Sequence, residues 1–127
     1  MEYNVLIVDD SKLIVNRLTD VLKELECISF VNAANSYTEA LSLLEMHCYN
    51  LAILDINIPG KNGIELLNYI KENYPSLTTF MHTNQSGSYY REMCKKIGCN
   101  EYIDKTNDFD QIPKLIRNYF EAVMANQ

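Results

Sequence analysis

Four places in this chain hold side chains suited to chemistry on phosphate, each at the end of a stretch with strand character. Asp9 and Asp10 follow "VLIV", Asp55 follows "LAIL", Thr83 closes "TTFMHT", and Lys105 follows "EYID". Three carboxylates brought together repel and raise one another's pKa unless a cation binds. Hard oxygen ligands suit Mg²⁺, which keeps several waters and takes one or two carboxylates plus phosphate oxygens. Asp55 beside such an ion is a nucleophile toward phosphorus. Lys105 offers a compact positive charge to phosphoryl oxygens, and Thr83 a hydroxyl donor. A metal, a nucleophile and two charge stabilisers are the parts needed for phosphoryl transfer to an aspartate. Taken singly, each residue has a plainer reading: an Asp after a strand caps a helix or makes a turn, and a Lys there is solvated. The argument rests on all of them meeting at one edge.

They meet only if the elements behind them form one sheet. Strand-like and helix-like patterns alternate along the chain. Predicted strands cover 3–8, 28–34, 51–54, 78–83 and 101–104, the first a short apolar run of the kind buried in parallel sheets. Between them, Leu13, Ile14, Leu18, Val21, Leu22 and Leu25 recur at helical spacing behind a Ser11 cap. Ser36 and Glu39 form an S-x-x-E capping box for the second helix. The third carries Ile64, Leu67 and Ile70 and stops before Pro75; the fourth, about 87–97, ends at Gly98. The last carries Ile112, Leu115, Ile116, Tyr119, Phe120 and Val123, and Pro113 places its cap near Asp110. Five βα units predict an α/β fold with a doubly wound parallel sheet and helices on both faces. Ligands bind such sheets beyond the C-terminal strand ends, where all four clusters fall.

Composition narrows the function. The chain has 127 residues and a net charge of −6, with five Lys/Arg against eleven Asp/Glu in residues 1–90 and six of each in 91–127. That is one domain by size, 1–127, with no basic stripe for nucleic acid. No apolar run reaches the ~18 residues of a membrane span, and "MEYNVLIVDD" lacks the features of a signal peptide, which points to the cytosol. Cys27, Cys48, Cys94 and Cys99 form no C-x-x-C pair and His47 and His82 are not spaced as zinc ligands. Reduced, mostly buried thiols are expected.

The sequence closely resembles the receiver domain of two-component response regulators, typified by the single-domain chemotaxis regulator. The resemblance covers essentially the whole chain and rests on "VLIVDDS", on "DINIPGKNG" with its D-x-x-x-P-x-x-x-G pattern, on Thr83 after an apolar strand, and on "GCNEYIDK". It implies a flavodoxin-like sheet of strand order 2-1-3-4-5. It implies that Asp55 is the phosphoacceptor, and that Asp9 and Asp10 hold Mg²⁺ with Asp55 and the backbone carbonyl of Asn57. It makes Thr83 the switch hydroxyl, Lys105 the basic residue on the phosphoryl group, and Tyr102 the aromatic whose rotation couples the site to a partner face built from helix four, strand five and helix five. Asn57 and Gln85 flank the path of attacking water in the family and are expected to modulate the phosphoryl-aspartate lifetime. The implied partners are a sensor histidine kinase or a histidine phosphotransfer protein, and a downstream protein, with neither nucleic acid nor membrane bound directly. A monomer or a weak homodimer is expected.

Three positions depart from the family pattern. Thr106 stands where proline usually follows the lysine, and a non-proline cis bond costs about 3–4 kcal/mol, so a trans bond is expected. Asn84, after the switch Thr, is larger than usual and able to crowd the phosphoryl group or hydrogen-bond to it. Cys99 stands where alanine is common. None of these removes a chemical group from the site. Competing readings are weaker. A haloacid-dehalogenase-type phosphatase needs D-x-D after strand one, where this chain has adjacent Asp9 and Asp10. A nucleotide- or flavin-binding module needs a Gly-rich phosphate loop there. A receiver working without phosphorylation would not need an intact site. No output domain is visible, which leaves a stand-alone receiver or a piece of a longer regulator or hybrid kinase.

Overall fold

The computed structural model describes residues 2–85 and 87–126. Five strands, β1 (Asn4–Val8), β2 (Phe30–Ala34), β3 (Leu51–Leu54), β4 (Thr78–Thr83) and β5 (Glu101–Asp104), alternate with five helices. These are α1 (Lys12–Lys23), α2 (Tyr37–Met46), α3 (Gly63–Asn73), α4 (Ser88–Ile97) and α5 (Ile112–Ala125). The sheet order is β2-β1-β3-β4-β5, with every neighbouring pair parallel. This is the doubly wound, flavodoxin-like topology that the sequence predicts.

Strand side chains alternate between two cores. Leu6, Val8, Ala52, Leu54 and Met81 face one side, with Ala40 and Leu44 of α2, Leu66, Leu67 and Ile70 of α3, and Cys94 of α4. Val5, Ile7, Leu51, Ile53, Phe80 and Ile103 face the other, with Leu18 and Leu22 of α1 and Ile112 and Ile116 of α5. Each fully buried Leu or Ile contributes about 1.5–3 kcal/mol. The rigid body of the sheet therefore fixes where each strand releases its last residue.

Several helix ends follow the sequence. Ser11 Oγ accepts from the Ile14 amide at 3.3 Å, and Gly98 ends α4 with its amide on the Cys94 carbonyl. Asn62 caps α3, accepting from the Glu65 amide at 3.0 Å. Ser36 Oγ accepts from the Glu39 amide at 3.2 Å, but Glu39 reaches back to the Asn35 amide, one residue before the cap.

Two expectations need correction. β2 starts at Phe30, because the Ile28 amide is spent in the turn leaving α1, on the Leu25 carbonyl. α5 begins where expected, its N-cap position at Gln111 beside Asp110, although no side chain there makes a capping hydrogen bond. A 3-10 turn, Phe109–Gln111, runs directly into it, and Pro113 occupies its first turn where no amide is needed. The thiols are not mostly buried: Cys94 is buried, Cys27 and Cys99 are half-buried and Cys48 is exposed. All four are free.

One buried group is out of keeping with its surroundings. His82, on the Phe80 side of β4, is 1% exposed and neither ring nitrogen has a hydrogen-bond partner. Burial pushes it down to about 4, the Lys105 charge adding to this and Asp55 opposing it. Its folded pKa lies below the ordinary 6.5, so the unfolded chain binds the proton more tightly. The stability of the neutral form is fully present above about pH 6.5 and is lost as pH falls toward 4. Between pH 7.5 and 4.5 the native chain should lose about 2 kcal/mol more than His82→Leu, measured by urea unfolding at both pH values.

Candidate functional site

The C-terminal ends of β1, β3, β4 and β5 deliver the predicted residues to one edge. Asp9, Asp10 and Asp55 each offer a carboxylate oxygen, all within 4.8 Å of one another. Register explains this: Val8 pairs with Leu54, so the residues that follow emerge side by side. The Asp55 amide is held by the Val8 carbonyl at 2.9 Å. Asp9 and Asp55 are buried and Asp10 is exposed.

Lys105 lies between the two buried acids. Its Nζ is 2.7 Å from Asp9 Oδ2 and 2.8 Å from Asp55 Oδ2, and it is 9% exposed. The plain reading of a solvated lysine therefore fails. Burial alone would lower its pKa, but the bonds from Asp55 and Asp9 outweigh burial and hold it above the ordinary lysine value. Burial raises Asp9 above its usual range, with Lys105 and the Ser11 amide pulling against it. The two directions look inconsistent for an ion pair. They agree once desolvation is counted, since taking a carboxylate out of water costs more here than one shared ammonium returns.

Asp55 Oδ1 is buried without a hydrogen-bond partner. A buried polar atom left unpaired is costly, and this one belongs to a trio of oxygen donors. That donor set fits a hard divalent cation. Asp9 and Asp55 would hold it from within and Asp10 from the solvent side.

Thr83 is fully buried, and its Oγ1 accepts from the Gln85 amide at 3.2 Å. The Gln85 carbonyl in turn accepts from the Tyr102 hydroxyl. Tyr102 is 9% exposed, and burial pushes its phenol up to about 12, as befits a donor. A continuous chain thus runs from Thr83 through the loop after β4 to β5. Asn57 and Asn84 are exposed and Gln85 is half-buried. Tyr89 is 66% exposed, while Tyr90 packs against the core.

Two contributors lie outside the residues that the sequence singled out. The Arg91 guanidinium of α4 lies 4.7 Å from the Tyr102 ring centroid, and its Nη1 donates to the Tyr102 carbonyl at 3.5 Å. Nothing local in the sequence pairs a helix arginine with a strand tyrosine. Asp104 Oδ1 accepts from the Thr106 and Asn107 amides at 2.8 and 2.9 Å, which holds its carboxyl below the usual range. This Asx-type turn shapes the loop after Lys105 where the family has proline. An Asp followed by polar turn residues was the signal for it. All peptide bonds among the described residues are trans.

Residues 5–117 match the response regulator receiver domain family. The transcriptional regulatory protein MalR of Bacillus subtilis is 27% identical over 116 residues, covering 91% of this chain and 49% of MalR. The chain spans half or less of the length of the curated relatives it matches. Among solved structures, the CheY-like response regulator receiver domain protein from Methanospirillum hungatei has a TM-score of 0.83 at 27% identity, covering 95% of this chain and 96% of that one. The BeF3-activated DrrB receiver domain, at 21% identity, shares the fold with a TM-score of 0.86 over 95% of this chain and 99% of its own. No helix among the described residues is long and apolar enough to cross a membrane. With the five-stranded parallel sheet, the acidic trio and Lys105 at its edge, the chain belongs to the receiver domain family of two-component response regulators, whose members accept a phosphoryl group.

Proposed function

We propose that Asp55 is the phosphoacceptor and that the chain, a single domain over 1–127, is a cytoplasmic receiver. The observation that carries this is the unpartnered, buried Asp55 Oδ1 beside Asp9, Asp10 and Lys105. Asp9, Asp10, Asp55 and the Asn57 carbonyl would hold Mg²⁺, which when bound would supply charge neutralisation for the incoming phosphoryl oxygens. The donor is a phosphohistidine on a sensor histidine kinase or a histidine phosphotransfer protein. An Asp55 carboxylate oxygen forms the new bond to phosphorus as the phosphorus–nitrogen bond of the donor breaks, and the imidazole leaves with that electron pair. Lys105 and the Thr83 hydroxyl stabilise the equatorial oxygens.

Thr83 turning toward the phosphoryl group carries the Gln85 amide with it, and so the acceptor of Tyr102. The loop after β4 and α4 thereby shift between two arrangements. The output is a changed α4–β5–α5 face that a downstream protein reads, in a monomer or weak homodimer. The test is incubation with acetyl phosphate and MgCl2, read by intact mass. A phosphoryl adduct that forms only with Mg²⁺ is expected; an unchanged mass with Mg²⁺ present overturns the reading.

Asn57 and Gln85 are neutral amides, able to orient water but not to deprotonate it. Replacing each by Ala should change the rate of phosphoryl-aspartate hydrolysis about two- to tenfold, the worth of about one hydrogen bond. Following adduct decay after the donor is removed checks this, and rates equal to the native chain's would discard the role.

A further inference from the structure

We propose that Tyr37, the first residue of α2, is a positioning residue for the metal-binding loop between β3 and α3. The proposal rests on the magnesium reading above. That loop, residues 55–62, is anchored at its base. Ile56 and Ile58 are buried in the core on either side of the exposed Asn57, and the Gly63 amide closes the turn on the Ile56 carbonyl at 2.8 Å. Its tip, Pro59-Gly60-Lys61, is exposed and has no core side chain to hold it.

Tyr37 touches the tip at three points. Its amide donates to the Pro59 carbonyl at 3.2 Å. Gly60, at φ +87, turns so close that a Cβ there would lie 3.5 Å from Tyr37 Cβ. Lys61 Nζ stands 5.4 Å from the ring centroid, within cation–π range. The amide is available because a helix leaves its first N–H groups without intrahelical acceptors. Ser36 Oγ serves the Glu39 amide, and Pro59 serves that of Tyr37.

The loop tip is thus fastened to α2, an element that carries none of Asp9, Asp10 and Asp55. Fastening both tip and base limits the orientations of the peptide groups between them, including Asn57. Releasing the tip should weaken the metal without touching a carboxylate, as outer-shell partners do for metal ligands generally.

The experiment is a MgCl2 titration of the full chain by calorimetry or NMR, with acetyl phosphate labelling at low and saturating Mg²⁺. Tyr37→Ala keeps the amide and Cβ and loses only the ring over Lys61, so it should raise the Mg²⁺ dissociation constant about twofold, with labelling restored at saturating Mg²⁺. Tyr37→Phe keeps the ring and should match the native chain. Tyr37→Pro removes the amide and the ring; proline is tolerated at the first helical position, and the extended Ser36 (φ −156, ψ 167) already suits a following proline. It should weaken Mg²⁺ at least as much as Ala, with helix content unchanged by circular dichroism. Lys61→Ala, at an exposed position, should cost about twofold and serves if either Tyr37 variant fails to fold. Native Mg²⁺ affinity in these Ala and Pro variants overturns the proposal, as does a loss in Tyr37→Phe equal to that in Ala. A native chain that binds no Mg²⁺, or binds it equally after Asp10→Asn, overturns the magnesium reading itself and this proposal with it.

Discussion

Asp55→Asn should abolish phosphoryl labelling from both phosphohistidine and acetyl phosphate, a loss of at least about a hundredfold, the scale expected when a covalent nucleophile is removed. The amide is nearly isosteric with the carboxylate, so the fold should survive. It carries no anionic oxygen to attack phosphorus and brings one fewer charge to the trio. The substitution also breaks the ion pair with Lys105 at 2.8 Å, leaving Asp9 as that lysine's remaining carboxylate partner in the site. Urea unfolding should therefore report a separate, smaller change. Labelling of Asp55→Asn equal to that of the native chain, and independent of Mg²⁺, would sink the assignment.

Gly63→Ala should destabilise the domain by about 3 kcal/mol, the cost of forcing a methyl against fixed backbone. A Cβ at Gly63 would stand 1.9 Å from the Asp55 carbonyl oxygen, 2.7 Å from its carbonyl carbon and 2.9 Å from Ile56 Cα. None of these is a flexible side-chain end, so the start of α3 has to move away from β3. The Gly63–Ile56 backbone bond at 2.8 Å would stretch with it, and Asp55 would shift. The expected result is a lower urea midpoint together with slower labelling at Asp55. A midpoint within about 0.5 kcal/mol of the native value, the usual range for neutral surface changes, would show that the loop relaxes freely.

That close approach explains the last letter of D-x-x-x-P-x-x-x-G. β1 and β3 were legible because strands buried on both faces read as unbroken apolar runs. β2, at the sheet edge and only half-buried, lost that signal, and its start was misplaced at Ile28. The start of α5 was legible because Pro113 is tolerated only in a helix's first turn, which put the cap beside Gln111. At the site, residue types at strand ends named Asp9, Asp10, Asp55, Thr83 and Lys105. Lys105's burial, Arg91 over Tyr102 and Tyr37 under the loop tip were illegible. Each depends on side chains far apart in sequence that only the finished packing brings together.

The lysine held between Asp9 and Asp55 bears on ion selectivity. An entering ion must share the two buried carboxylates with an ammonium already seated 2.7 and 2.8 Å from them. A potassium or sodium ion brings only the same single charge as that ammonium. A divalent ion brings twice that charge and can meet the exposed Asp10 as well. The expected result is discrimination by valence before coordination geometry comes into play, with abundant monovalent salt competing poorly.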